Sequence, residues 1–129
     1  MKKELQKQLF DRYPKIFRQK DLSMKETAMC WGIDTFDGWY WLIDQLCDSI
    51  QSYTDRNRKP QVEATQVKEK FGTLCFYTNG SDDYIEGMIR LAESMSGHIC
   101  ENCGSREGAS NEETNHWWRT RCLKCKDIR

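Results

Sequence analysis

Four cysteines near the C-terminus stand in two pairs that have the spacing of a metal-binding site. Cys100 and Cys103 form the first pair, Cys122 and Cys125 form the second, and 18 residues separate the two pairs. This C-x2-C-x18-C-x2-C pattern is typical of structural zinc sites, because each short turn aims two thiolates at one ion and two turns complete a tetrahedron. We therefore predict one structural Zn²⁺ per chain. Four protein ligands leave no open coordination position, so the predicted zinc is not catalytic.

A disulfide framework is the alternative use of these cysteines, and two observations disfavour it. The chain of 129 residues has 7 cysteines, an odd count. Its N-terminus, Met1 to Gln6, lacks the apolar core of a signal peptide, and no apolar run is long enough to span a bilayer. We expect a cytosolic protein with no membrane partner, in which reduced cysteines bind metal. The remaining cysteines are expected to be small buried hydrophobic residues: Cys30, Cys47 and Cys75.

A candidate binding surface precedes the second cysteine pair. The chain has 20 basic and 20 acidic residues, and this zero net charge argues against a protein that coats nucleic acid by bulk electrostatics. On a strand, however, Trp117, Arg119 and Arg121 share one face. Such a face could stack a base and pair with phosphate, or contact a protein partner. Alternatively, the basic residues offset the charge of the thiolates, and Trp118 packs the C-terminal cysteine-containing segment onto the rest of the chain.

Lys68 and Lys70 form a second candidate surface, on one face of a predicted strand beside Gly72. Two lysines there could hold an anion, or they could be the solvated edge of a hairpin that prevents aggregation. The run is not a phosphate-binding loop, because it lacks the glycines of a Walker motif. The other polar residues form no recognisable nucleophile–base pair, so the sequence predicts a protein that is not an enzyme.

Hydrophobic periodicity predicts the elements that position these residues. Helices are expected over 3–13, over 37–56 with Asp37 as N-cap, and from Ser81 or Asp82 to Gly97. Residues rich in β-branched side chains predict a hairpin of strands 61–67 and 73–78. The predicted fold class is α+β, with helices packed on a small antiparallel hairpin. We expect a body over 1–97 and a four-cysteine zinc ribbon over 98–129 that packs onto the third helix.

Three stretches together resemble a known group of proteins. They are Trp31 to Asp34 with Asp37 to Tyr40 and Leu42 to Asp44; Gln66 to Leu74 with Phe76 and Tyr77; and Gly87 to Ile89 with Ala92 and Glu93, which lead into Cys100 to Gly104. This pattern is similar to that of small, uncharacterised zinc-ribbon proteins encoded by tailed phages and prophages. The similarity covers residues 30–125, and its most distinctive part is the run from Lys68 to Leu74.

The resemblance implies a setting but no activity. Small phage accessory proteins often bind a host component, including host immune machinery. We therefore predict a non-enzymatic zinc-binding phage accessory protein that lies in the host cytosol and acts by binding a host protein. If that host protein is a defence factor, the predicted role is anti-defence. The alternative prediction is a nucleic-acid or nucleotide-binding zinc-ribbon protein that uses the ribbon strand and the hairpin lysines.

Overall fold

The computed structural model describes residues 1–128, and it has the α+β architecture that the sequence predicts. Arg129, the last residue of the predicted ribbon, lies outside the described residues. The helices are α1 (Lys3–Arg12), α2 (Tyr40–Arg56) and α3 (Asp83–Ser96). The strands are β1 (Ile33–Asp34), β2 (Glu63–Lys70), β3 (Thr73–Asn79), β4 (Ser110–Thr114) and β5 (Trp117–Arg121). Short 3₁₀ turns lie at Arg18–Asp21, Met29–Trp31 and Asp37–Trp39.

The main sheet has the order β1-β2-β3. β2 and β3 form the predicted antiparallel hairpin, which turns at Phe71 and Gly72 with φ values of 53° and 78°. Two consecutive left-handed residues match the right-handed twist of the strands they join. β1 adds a parallel pairing that the sequence did not predict, with Ile33 opposite Val67. A strand of two residues is too short to show the alternation by which strands are recognised.

The hydrophobic core lies between the helices and the main sheet. α2 contributes Leu42, Ile43, Leu46, Cys47 and Ile50 at helical spacing. The irregular segment between α1 and β1 also enters the core, because Ile16, Phe17 and Met29 are fully buried there. Cys47 is buried as predicted, and burial raises the pKa of its thiol well above the ordinary value, whereas Cys30 and Cys75 are only half-buried.

The helix ends show one correct and one wrong prediction. Asp82 caps α3, and its carboxylate accepts the backbone N–H of Ile85 at 2.9 Å. Asp37 does not cap α2, because it begins a 3₁₀ turn and its carboxylate instead accepts the backbone N–H of Lys2 at 2.8 Å. Among residues 1–128, none of the helices combines the length and apolar character needed to cross a membrane.

Candidate metal centre and adjoining aromatic groove

The four predicted ligands lie together in the structure. The sulfur atoms of Cys100, Cys103, Cys122 and Cys125 all lie within 4.8 Å of one another, and those of Cys103 and Cys122 are 3.6 Å apart. A tetrahedron with metal–sulfur bonds of about 2.3 Å has sulfur–sulfur edges of about 3.8 Å. The cluster therefore has the donor set and the dimensions to hold one metal ion.

Backbone hydrogen bonds shape each Cys-x-x-Cys turn. Gly104 donates its N–H to the carbonyl of Cys100 at 2.9 Å, and Cys125 donates to the carbonyl of Cys122 at 3.1 Å. Gly104 has φ 83°, a left-handed conformation that glycine adopts without strain. The two turns are thus formed by local backbone geometry, which explains why the spacing alone was informative.

The thiols differ in how readily they ionise. Burial opposes ionisation of Cys100, but N–H groups of Cys103, Cys122 and Asn102 outweigh it and lower the pKa of that thiol to about 7. At Cys103 the N–H of Ser105 favours the thiolate, but burial and the neighbouring sulfurs outweigh it and raise the pKa to about 12. Like charges this close repel each other, so a bound dication is what would allow all four sulfurs to be thiolates.

The C-terminal segment 98–128, for which we keep the name ribbon, contacts residues 1–97, the body, at the 3₁₀ turn Asp37–Trp39 that precedes α2. Gly38 donates its N–H to the carbonyl of Glu101 at 2.8 Å, and Trp39 donates its indole N–H to the carbonyl of Ile99 at 2.9 Å. A Cβ at Gly38 would lie 2.1 Å from the carbonyl oxygen of Cys100. Only a glycine permits this approach of the two backbones.

The second attachment joins the ribbon to the β2–β3 turn. Thr120 donates its hydroxyl to the carbonyl of Gly72 at 2.6 Å, and Asn111 donates its side-chain amide to the carbonyl of Phe71 at 3.0 Å. The sequence predicted packing of the ribbon onto α3, whereas these hydrogen bonds attach it to the β2–β3 turn. The ribbon can dock at these two places because positions 38 and 72 are glycines. Hydrophobic periodicity in the sequence does not predict such a docking site.

Arg121, a residue of the predicted binding face, is buried in an internal ion pair. It is 4 % exposed, and Glu101, with which it pairs, is 2 % exposed; its Nε donates to Glu101 Oε1 at 3.2 Å. Burial raises the pKa of Glu101, while Arg121 opposes that shift. Strand alternation grouped Arg121 with Trp117, but it could not show that the last residues of β5 are covered.

The other predicted surface residues are more accessible. Trp117 is 72 % exposed. Arg119 is half-buried, and its two terminal nitrogens donate to the carbonyls of Ile128 at 2.7 Å and Lys126 at 3.3 Å. Trp118, which was considered as a packing residue, keeps 39 % of its surface exposed.

The hairpin lysines do not join this surface. Lys68 is half-buried and lies opposite Asp34 in the β1–β2 register. Lys70 is exposed, and its Nζ lies 5.7 Å from the ring centroid of Phe71. Neither residue lines the groove that Trp117 borders, so the two candidate surfaces are separate.

A groove of about 560 Å³ lies where the ribbon meets the body. Its lining residues include three partly exposed aromatic residues, Phe36, Trp117 and Trp118, together with Glu69 from β2. The buried Glu101–Arg121 pair and Arg119 also border it. Phe36 and Glu69 were missed at the sequence level, because they come from the body and only the docking of the ribbon brings them beside the tryptophans.

No family model, curated protein sequence or solved structure matched the chain when it was compared with each. The resemblance to phage zinc-ribbon proteins therefore stays a prediction. What the structure defines is an α+β protein with a C-terminal four-cysteine cluster that could hold one metal ion.

Proposed function

We propose that this is a non-enzymatic binding protein, that one structural Zn²⁺ stabilises its ribbon, and that its partner is another protein. The observation that carries the proposal is the aromatic groove. Phe36, Trp117 and Trp118 are 48 %, 72 % and 39 % exposed around it. Aromatic side chains are enriched at protein interfaces and frequently dominate their binding energy. Because β5 leads directly into Cys122, metal binding would hold both tryptophans in place.

Zinc is the proposed metal because the donors are four thiolates arranged closely enough for a tetrahedron. Such sites commonly hold zinc in a structural role. With four sulfur ligands the ion keeps no position for water or substrate, and this supports a binding role over catalysis.

Nucleic-acid or nucleotide binding is the second candidate function. The observation that favours it is the exposed Trp117 near Arg119, because an aromatic ring can stack on a base and a guanidinium can bind a phosphate. Two features weaken it. Arg121 is buried against Glu101, and the terminal nitrogens of Arg119 already donate to backbone carbonyls. The phage origin, the host cytosol and a host defence factor as partner stay predictions from the resemblance.

The metal part of the proposal is tested by elemental analysis of protein purified without added metal, which should find one zinc per chain. A folded ribbon without metal would contradict it.

The binding part is tested with Trp117→Ser/Trp118→Ser, compared with Trp31→Ser. Trp31 is 70 % exposed and does not line the groove, so it is a matched control. In quantitative affinity capture from a host lysate, the groove variant should lose the partner protein and the control should retain it. Equal capture by both variants would contradict the groove as the binding site. Binding of oligonucleotides that weakens steeply with salt would favour the second candidate.

A further inference from the structure

We propose that the groove receives a cationic side chain, a lysine or arginine of the partner protein, which contacts the indole rings and pairs with Glu69. The proposal rests on the proposed function, since it takes the groove to be a protein-binding site, and it adds the chemistry of the group that is recognised.

The aromatic walls suit a cation. The faces of aromatic rings carry negative electrostatic potential, and tryptophan attracts ammonium and guanidinium groups most strongly. One wall already makes such a contact within the protein, because the guanidinium carbon of Arg121 lies 5.4 Å from the ring centroid of Phe36. Trp117 and Trp118 remain exposed and able to contact a cation from outside.

The positive charges that border the groove are already engaged. Arg121 is paired with Glu101 and also donates to the carbonyls of Cys125 and Ile128. Arg119 donates to two carbonyls, and Glu112 lies opposite it in the β4–β5 register. The guanidinium groups of Arg119 and Arg121 therefore already donate to groups of the protein, which disfavours phosphate as the ligand of the groove.

Of the two acids that line the groove, Glu101 is paired with Arg121, whereas Glu69 has no ion-pair partner among the described residues. One carboxylate oxygen accepts the backbone N–H of Gly72 at 2.8 Å. Glu69 takes part in none of the ion pairs formed within residues 1–128, although it is half-buried at the groove wall. A carboxylate in this position favours a positively charged ligand and disfavours a polyanion.

The experiment uses the purified full-length protein and an array of randomised seven-residue peptides. Bound peptides should share a lysine or arginine, and replacing it with neutral norleucine or citrulline should weaken binding roughly tenfold, as expected for a partly desolvated cation–aromatic and ion-pair contact. Glu69→Gln should weaken the basic peptide about twofold to fivefold and leave the neutral peptide unchanged. Glutamine keeps an oxygen that can accept the Gly72 N–H, so the turn is preserved. Glu107→Gln, an exposed acid that does not line the groove, is the matched control.

The outcomes separate this inference from the proposed function. If the protein binds peptides that lack a basic residue, and Trp117→Ser abolishes that binding, the inference is overturned and the proposed function is retained. Basic peptides that bind Glu69→Gln and the original protein equally would also overturn the inference. Failure to bind any peptide, together with Trp117-dependent binding of an oligonucleotide, would overturn both.

Discussion

Replacing Gly38 with alanine tests whether direct backbone contact holds the ribbon against the body. The new Cβ would lie 2.1 Å from the carbonyl oxygen of Cys100 and 2.5 Å from the carbonyl carbon of Glu101. An ordinary carbon–oxygen contact is roughly 3.3 Å or longer, so the two backbones would have to separate by about 1 Å. Neither atom belongs to a flexible side chain that could rotate away. The substitution should therefore displace the ribbon.

The expected cost combines two effects. Separating the backbones breaks the hydrogen bond from Gly38 to Glu101, and a typical bond of this kind contributes about 1 kcal/mol. Overpacking in a close-packed site costs about 1–3 kcal/mol more. We expect Gly38→Ala to lower the free energy of unfolding by about 2–4 kcal/mol. If the ribbon separates locally from the body and so relieves the clash, the loss in free energy of unfolding cannot exceed the free energy with which the ribbon docks on the body.

Gly87→Ala is the matched control. Gly87 lies inside α3, and a Cβ added there meets no atom within 4 Å beyond its chain neighbours and the nearby backbone of its own helix. Alanine should therefore stabilise the protein by about 0.5–1 kcal/mol through helix propensity. Urea unfolding followed by circular dichroism measures both variants. The NMR signal of the Trp39 indole N–H, which donates to the Ile99 carbonyl, reports docking. Wild-type stability together with an unchanged indole signal in Gly38→Ala would refute the reasoning.

Three further predictions concern the metal site and the ion pairs. Arg121→Met should lower the free energy of unfolding by about 3–5 kcal/mol, because it leaves the buried carboxylate of Glu101 unpaired. In urea unfolding, the double variant with Glu101→Gln added should recover part of this loss. Equal losses in the single and the double variant would contradict the prediction. Cys122→Ser should abolish metal binding, measured by elemental analysis, and unfold the ribbon while α2 remains by circular dichroism, whereas retained metal would argue against the ligand set. Arg18 donates two hydrogen bonds to Glu63 and lowers the pKa of that carboxyl below 4.5. The resulting stabilisation is present above pH 4.5 and is lost as the pH falls through the lowered pKa. In Glu63→Gln the free energy of unfolding should therefore fall less steeply below pH 4.5 than in wild type. An unchanged dependence on pH would contradict this.

The locally encoded features were predictable from sequence. Cys-x-x-Cys spacing places two sulfurs together through a single turn, and the structure confirms that the two turns bring all four sulfurs into one cluster. The helical repeat of α2 and the cap at Asp82 were likewise visible, because they depend on residues within a few positions of each other. The α+β class follows from the order of these elements.

Other features depended on contacts between distant residues, and the tertiary structure alone decided them. Alternation along β5 grouped Trp117 with Arg121, but the burial of Arg121 depends on Glu101, twenty positions away in sequence. Phe36 and Glu69 join the groove only because Gly38 and Gly72 allow the ribbon to approach the body. Periodicity records which way a side chain points from its own strand or helix, whereas exposure is set by what packs above it. The sequence by itself therefore determined the four-cysteine cluster and the main elements, and tertiary packing decided which aromatic and charged groups line the groove.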